Sequence, residues 1–193
     1  MEEYEIHNIL IRNMICSRCM KVIRLDLEAL GVEVLELQLG RLKIRFPQGQ
    51  LELSAIEKVL LEDEFEIVKD KNDQIAEEVK LTLIDIVNHL PILQDRKLSE
   101  VLAEKFQKDY WSLSKIFSKT ETVTVEKYFI LLRIEKAKEL IEYEELTFSQ
   151  IAYELGFGNI SHLSGQFKQV TGMSMTEYKK LENKNRSPLD KLL

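Results

Sequence analysis

Two cysteines near the start of the chain have a spacing that could bind a soft metal ion. Cys16 and Cys19 form a Cys-x-x-Cys motif, which we place in the turn between a first predicted strand and a first predicted helix. Such a turn brings two thiolates together, and thiolates favour Cu(I), Zn²⁺ and related ions. Zinc sites usually need more ligands than this pair supplies, and none of the three histidines has motif spacing. We therefore expect Cu(I) or another soft ion, or a site that a second subunit completes.

Two other roles are open for these cysteines. They could form a redox pair that closes a disulfide, or they could be relics in a domain that now serves another purpose, such as dimerisation. Enzymatic catalysis is not predicted, because the sequence shows no Ser-His-Asp pattern, no motif of paired carboxylates and no glycine-rich phosphate loop.

A second group of residues, in the C-terminal half, could contact nucleic acid. Two segments there read as a short helix, a tight turn and a second helix, and the second helices are predicted at 110–119 and 160–170. Each has an apolar side for a core and a polar side that could enter a major groove. The outward residues are Ser112, Lys115 and Lys119 in the first helix, and Ser161, Gly165 and Lys168, with His162 beside them, in the second.

The elements that must position these residues fall into two patterns. Residues 1–71 alternate between strand-like and helix-like segments in the order βαββαβ, which is the ferredoxin-like arrangement of an α+β domain. Gly31 is expected to cap the first helix, and Ser54 to begin the second one. An amphipathic linker helix within 72–91 follows, and its apolar stripe requires burial against its own chain or against a second subunit.

Residues 92–183 are predicted to be entirely helical and to contain an internal repeat of about fifty residues. Each copy ends with two aromatic residues at the same spacing, Phe117 with Tyr128 and Phe167 with Tyr178. Between the copies we predict one long helix over 125–143. A polar tail occupies 184–193.

Charge is distributed unevenly along the chain. Residues 1–90 carry 11 basic and 18 acidic residues, whereas residues 91–193 carry 16 basic and 15 acidic residues. A polyanion would therefore meet the C-terminal half, with modest non-specific affinity. No apolar run is long enough to span a bilayer, and the acidic start is unlike a secretory signal, so we expect a cytoplasmic protein with no membrane partner.

The C-terminal half resembles AraC/XylS-family transcription regulators. The motif residues are RIEKAKELI at 133–141, FSQIAYELGF at 148–157, SHLS at 161–164 and FKQVTGMS at 167–174. The resemblance implies a seven-helix domain whose two helix-turn-helix units enter successive major grooves of double-stranded DNA. It places the base-facing positions at Trp111, Ser112, Ser114 and Lys115, and at Ile160, Ser161, His162 and Gly165. The family often has Arg where this chain has Gly165, so the residue type best suited to guanine is missing there.

The N-terminal half resembles heavy-metal-associated domains, which have the fold of copper chaperones. Met14 stands two residues before the first cysteine, Gly31 follows the first predicted helix, and Phe65 occupies a frequently aromatic position. The resemblance implies that Cys16 and Cys19 are the metal ligands and that Met14 is a buried support.

These observations predict a sequence-specific DNA-binding regulator that is not an enzyme. Its N-terminal domain would respond to a soft metal ion or to thiol state, and a homodimer would form through that domain or through the linker helix. The alternative prediction is a metal-handling, chaperone-type protein whose helical half docks a protein partner.

Overall fold

The computed structural model describes residues 3–14, 17–93 and 96–182 of the 193-residue chain. The chain divides into two compact units, Met1–Glu77 and Glu78–Leu193. Cys16 and the predicted polar tail at 184–193 lie outside the described residues.

The N-terminal unit contains a four-stranded antiparallel sheet and two helices. Its elements are β1 (Tyr4–Arg12), α1 (Ser17–Ala29), β2 (Glu33–Gln38), β3 (Arg41–Pro47), α2 (Leu53–Glu62) and β4 (Glu66–Ile67). The strands lie in the order β2-β3-β1-β4, and each neighbouring pair is antiparallel. The predicted order of strands and helices is therefore confirmed.

Alternation along the strands places one face of the sheet against the core. On β3, Leu42, Ile44 and Phe46 are buried, whereas the basic residues between them are only partly covered. The strand and helix residues of this unit form one buried cluster, consisting of Ile9, Ile11, Met14, Ile23, Leu27, Val32, Leu42, Ile44, Phe46, Ile56, Leu60, Phe65 and Ile67.

The two predicted helix boundaries in this unit have different outcomes. Gly31 ends α1 as expected, with φ +77°, and its N–H donates to Glu28 O at 3.0 Å while Val32 N–H donates to Leu27 O at 2.9 Å. The prediction that Ser54 begins α2 is wrong. The helix begins at Leu53 after Glu52, so Ser54 lies within the first turn, where its hydroxyl donates to the Glu52 carboxylate at 3.0 Å.

The predicted linker helix is observed as α3 (Lys71–Asn88). Its first part belongs to the N-terminal unit and the rest to the C-terminal unit. Its first residues are held in the N-terminal unit, where Arg12 lies 3.5 Å from both Asp73 and Glu77. In the C-terminal unit, Lys80 pairs with Glu121 at 3.4 Å, and both side chains are nearly buried. Of the apolar residues whose spacing predicts this helix, Val79 and Leu83 are buried, whereas Ile75, Ile86 and Leu90 are half-buried. Ala76, Ile84 and Val87 are buried as well.

The C-terminal unit continues with six described helices. They are α4 (Leu98–Phe106), α5 (Tyr110–Glu121), α6 (Val125–Tyr143), α7 (Phe148–Glu154), α8 (Ile160–Thr171) and α9 (Met175–Lys179). Side chains cap most of them: Asp109, Thr124, Thr147, Asn159 and Ser174 each accept a backbone N–H of the first turn. The part of α3 that belongs to this unit precedes α4.

The internal repeat is visible as two equivalent pairs of buried rings. The ring centroids of Phe117 and Tyr128 lie 5.7 Å apart, and those of Phe167 and Tyr178 lie 5.6 Å apart. Each pair joins the second helix of a helix-turn-helix unit to the helix that follows it. Among the described residues, no helix combines the length and apolar character needed to cross a membrane.

The left-handed conformation of Gly31 predicts a measurable cost for a side chain there. We expect Gly31→Ala to lower the free energy of unfolding of the N-terminal unit by about 1 kcal/mol, because its φ is positive although the space around it is open. Gly165→Ala is the matched control, since Gly165 lies inside α8 in open space without positive φ, and alanine should stabilise that helix by roughly 0.5–1 kcal/mol. Urea unfolding measures both; equal effects of the same sign would contradict the interpretation.

Candidate nucleic-acid interface

The exposed face of α5 carries an aromatic residue and an ammonium group. Trp111 is 70% exposed, and Lys115 Nζ lies 5.0 Å from the centroid of its ring. The opposite face packs inward through Leu113 and Phe117, which are fully buried. The indole therefore contributes little to the core, and it lies beside Lys115 on the surface where the sequence predicts nucleic-acid contacts.

The N-terminus of α5 is fixed by Asp109. Its carboxylate accepts the Ser112 N–H at 2.8 Å and the Ser112 hydroxyl at 2.7 Å. These bonds lower the pKa of Asp109. The next residue, Tyr110, donates its hydroxyl to Glu126 of α6. Burial and this carboxylate raise the pKa of Tyr110, so the phenol remains a donor.

The exposed face of α8 is smaller and less charged than that of α5. Ile160, Ser161, His162, Gly165 and Lys168 are all exposed, while Leu163 and Phe167 are buried on the other side. The Asn159 side chain accepts the His162 N–H at 2.9 Å, which confirms the predicted cap. No atom lies within 4 Å of a Cβ added at Gly165, and a shallow cleft of about 490 Å³ runs beside this position and Lys168.

Arg133 of α6 fixes the turn between α7 and α8. Its guanidinium carbon lies 4.7 Å from the ring centroid of Phe129 and 4.2 Å from that of Phe157. One guanidinium nitrogen donates to Leu155 O and Gly156 O, both at 3.4 Å. Burial lowers the pKa of Arg133 to about 10, so the side chain stays charged at neutral pH. The two carbonyls that directly follow α7 thus accept hydrogen bonds from a cation, which is a favourable partner at a helix C-terminus.

The same turn also determines the orientation of His162. The His162 ring meets Phe157 edge-on, with centroids 5.4 Å apart and planes at 87°. Gly156 has φ +65°, and an added Cβ would lie 3.2 Å from Ile92 O. Ile92 N–H in turn donates to Glu154 O at 2.8 Å. Arg133 of α6 therefore contacts Phe157 of the turn, and Phe157 contacts His162 of α8.

The structure places all ten predicted contact residues on α5 and α8. Ser112 and Ser114 are half-buried, and Trp111, Lys115, Lys119 and the five residues of α8 are exposed. Whether each one contacts DNA stays a prediction. Sequence reasoning missed Arg133 and Phe157 as positioning residues, although the spacing of four between Phe129 and Arg133 was a readable signal.

The predicted metal site lies in the N-terminal unit. Cys16 is outside the described residues, and Cys19 is half-buried in the first turns of α1. Met14 is buried, and its sulfur accepts the Gly40 N–H at 3.4 Å, which fits a supporting role. The described residues contain no group of three or more His, Cys, Asp or Glu side chains that could hold a metal ion.

Comparison with known proteins assigns the helical region. Residues 102–181 match a family model described as a helix-turn-helix domain. The C-terminal domain of AraT, a response regulator from Geobacillus stearothermophilus, covers 61% of this chain and 97% of its own, with 20% identity and a TM-score of 0.50. Residues 102–181 form a helix-turn-helix domain. The predicted resemblance of this region is confirmed, and that of the N-terminal unit to heavy-metal-associated domains stays a prediction.

Two further relatives have similar sequences or folds. One is the uncharacterized HTH-type transcriptional regulator YdeC of Bacillus subtilis (strain 168), which is 22% identical over 133 residues, 69% of this chain and 45% of that protein. This chain therefore spans about half the length of that relative. The other is an AraC-type regulator from Chromobacterium violaceum, 15% identical over 59% of this chain and 100% of its own, with a TM-score of 0.48. None of these comparisons supports the alternative of a metal-handling chaperone.

The contacts of Arg133 predict that it stabilises the helix-turn-helix domain. We expect Arg133→Ala to lower the free energy of unfolding of that domain by about 2–4 kcal/mol, because the variant leaves two aromatic rings without their shared partner and two carbonyls without a donor. Lys127→Ala, an exposed position on the same helix, is the control and should change it by less than about 0.5 kcal/mol. Equal losses in denaturant unfolding would contradict the role of Arg133.

Proposed function

We propose that this protein is a transcription regulator that binds double-stranded DNA sequence-specifically through α5 and α8. The observation that carries the proposal is the duplicated unit, in which two capped helices each have a buried apolar face and an exposed polar face. Such helices insert into a major groove, and the paired units would occupy two successive grooves about one helical turn apart.

The two helices would contribute unequally to recognition. On α5, Trp111 offers an apolar surface and Lys115 a cation, and Lys119 extends the basic surface. On α8, the serine hydroxyl at 161 and the imidazole of His162 are the polar groups nearest the capped end, and Lys168 suits a phosphate. Because Gly165 has no side chain, we expect sequence discrimination to come mainly from α5.

Lys115 provides the test of DNA binding. The duplex site is first selected from random DNA, and Lys115→Ala is then compared with wild type by fluorescence anisotropy over a range of salt concentrations. A phosphate contact predicts weaker binding to every sequence and a salt slope reduced by about one, whereas a guanine contact predicts a loss of ~1–3 kcal/mol at one position only.

Lys105→Ala serves as the control for that experiment. Lys105 is an exposed lysine of α4, so the variant removes the same charge outside both reading helices. We expect it to leave the position dependence of binding unchanged. Absence of binding by wild type to any duplex at low salt would refute the proposed function.

We further propose that the N-terminal unit has a ferredoxin-like fold and serves as a sensing domain for a soft metal ion such as Cu(I), with Cys16 and Cys19 as ligands. The antiparallel order β2-β3-β1-β4 and the buried Met14 support this proposal. Thiol oxidation and a purely structural role are the competing interpretations. Regulation through this domain is limited by the ligand's differential affinity for the two DNA-binding arrangements. Homodimerisation through this unit completes the proposed assembly.

The cysteine proposal predicts one bound Cu(I) per chain or per dimer under reducing conditions. Cys16→Ser and Cys19→Ser should each abolish binding in competition with a Cu(I) chelator, because two thiolates are needed. Met14→Leu is the control and should retain the stoichiometry, since the Met14 sulfur is engaged by Gly40 N–H. Unchanged stoichiometry in the double cysteine variant would exclude this site.

A further inference from the structure

One edge of β1 is left open by the shortness of β4. On one side, β1 pairs with β3 from Tyr4 to Leu10. On the other side, β4 pairs only with Ile11 and Arg12, after which Val68 N–H donates to Leu10 O at 2.9 Å. The chain then enters α3 at Lys71. Within the described ranges, no strand pairs with this edge of β1 between Glu5 and Ile9.

The backbone of this edge has a defined pattern of donors and acceptors. Ile11 N–H donates to Gly40 O, and Glu3 O accepts Gln48 N–H, so odd-numbered residues direct their backbone groups toward β3. Leu10 O accepts its bond from the opposite side. Because direction alternates along a strand, the N–H and C=O groups of Tyr4, Ile6 and Asn8 point away from β3. An added strand would meet a regular row of hydrogen-bonding groups.

We infer that β1 of a second copy of this chain pairs antiparallel with this edge, centred on Ile6. In this register Ile6 faces Ile6 of the second copy, and Tyr4 faces its Asn8, so that outward backbone groups meet outward backbone groups. Glu5 then faces His7 of the second copy, and the reverse. The inference rests on the homodimer proposed above and specifies its surface.

The charged and polar side chains of β1 favour this register, and they favour a second copy of this chain as the partner. Sliding the centre to His7 keeps the backbone groups matched but opposes two imidazoles and removes the Glu5 contact. In the register centred on Ile6, each Glu5 faces His7 of the other copy. The two side chains have opposite charges when the imidazole is protonated, and they can hydrogen-bond whether or not it is protonated. In the single chain, His7 stacks on Phe46 of β3 with centroids 5.1 Å apart and lies 3.1 Å from Glu5 of its own chain, so the contacts across the two copies would be shared with this pair or replace it.

Exposed apolar side chains complete the surface. Ile6 is 56% exposed and Tyr4 49% exposed, on the sheet face opposite the core. In the proposed pair, the two Ile6 side chains lie directly across from each other, where cross-strand contacts stabilise a sheet most. The contact is isologous and therefore closes at two copies. It joins two four-stranded sheets into one and brings together two helix-turn-helix domains.

Proline at the centre of the edge gives the first test on the full-length chain. Wild type should sediment as a dimer of about 45 kDa, twice the chain mass of 22.6 kDa. Ile6→Pro should be monomeric, because it removes an outward N–H while the bonds from odd-numbered residues to β3 remain. Ile6→Val is the control and should stay dimeric. Circular dichroism and thermal unfolding check that both variants are folded.

Charge exchange gives a second test that does not depend on proline. His7→Glu alone and Glu5→His alone should each weaken self-association roughly tenfold, because each loses both symmetry-related Glu–His pairs. Mixing the two variants should restore association. In the mixed dimer, the copy with carboxylates at both positions faces the copy with imidazoles at both positions, so each of the two cross-strand pairs again joins a carboxylate to an imidazole.

Three results would overturn the inference. They are a wild-type monomer at every concentration, a dimer unaffected by Ile6→Pro, and a mixture of the charge variants that associates no better than either alone. DNA binding is measured in parallel on the same samples. A dimer that binds no DNA would refute the proposed function and keep this interface, whereas a monomer that binds DNA would do the reverse.

Discussion

The arrangement of the second helix-turn-helix unit depends on one half-buried cation. Arg133 contacts Phe129 of its own helix and Phe157 of the α7–α8 turn. It also donates to the two carbonyls that directly follow α7. A lysine could not reproduce these contacts, because its ammonium group is a compact, strongly hydrated charge, whereas a guanidinium can contact aromatic rings and still donate to nearby carbonyls. The position of α8 therefore depends on a side chain of α6, the helix that connects the two helix-turn-helix units.

Helix α3 is held differently in its two parts. Arg12, Asp73 and Glu77 form a network in which two of the three side chains remain partly exposed. Lys80 and Glu121 are nearly buried, so removing either charge would leave the other largely desolvated without this partner. Glu121 ends α5, where a carboxylate is unfavourable beside the helix carbonyls, and Lys80 offsets that repulsion.

Sequence reasoning succeeded where local signals were sufficient. The bounds of α6 agree with the prediction, because a side-chain cap and a helical period coincide there. The paired rings of the repeat were readable from equal spacing. The start of α2 was mispredicted because the backbone is already helical at Leu53, so that Ser54 lies one turn position too late to be the cap, and a serine in the sequence does not by itself show where the helix begins. The second aromatic contact of Arg133 could not be predicted from the sequence, because Phe157 lies in a turn 24 residues later and only the fold brings the two side chains together.

The caps of the two reading helices have different electrostatic consequences. Asp109 places a full negative charge at the beginning of α5, whereas Asn159 caps α8 with a neutral amide. The partial positive charge of α8 thus remains available to a phosphate, while that of α5 is already compensated within the protein. In the proposed complex, a phosphate at the beginning of α8 would therefore interact with the helix itself, whereas at α5 it would depend on the side chains of Lys115 and Lys119.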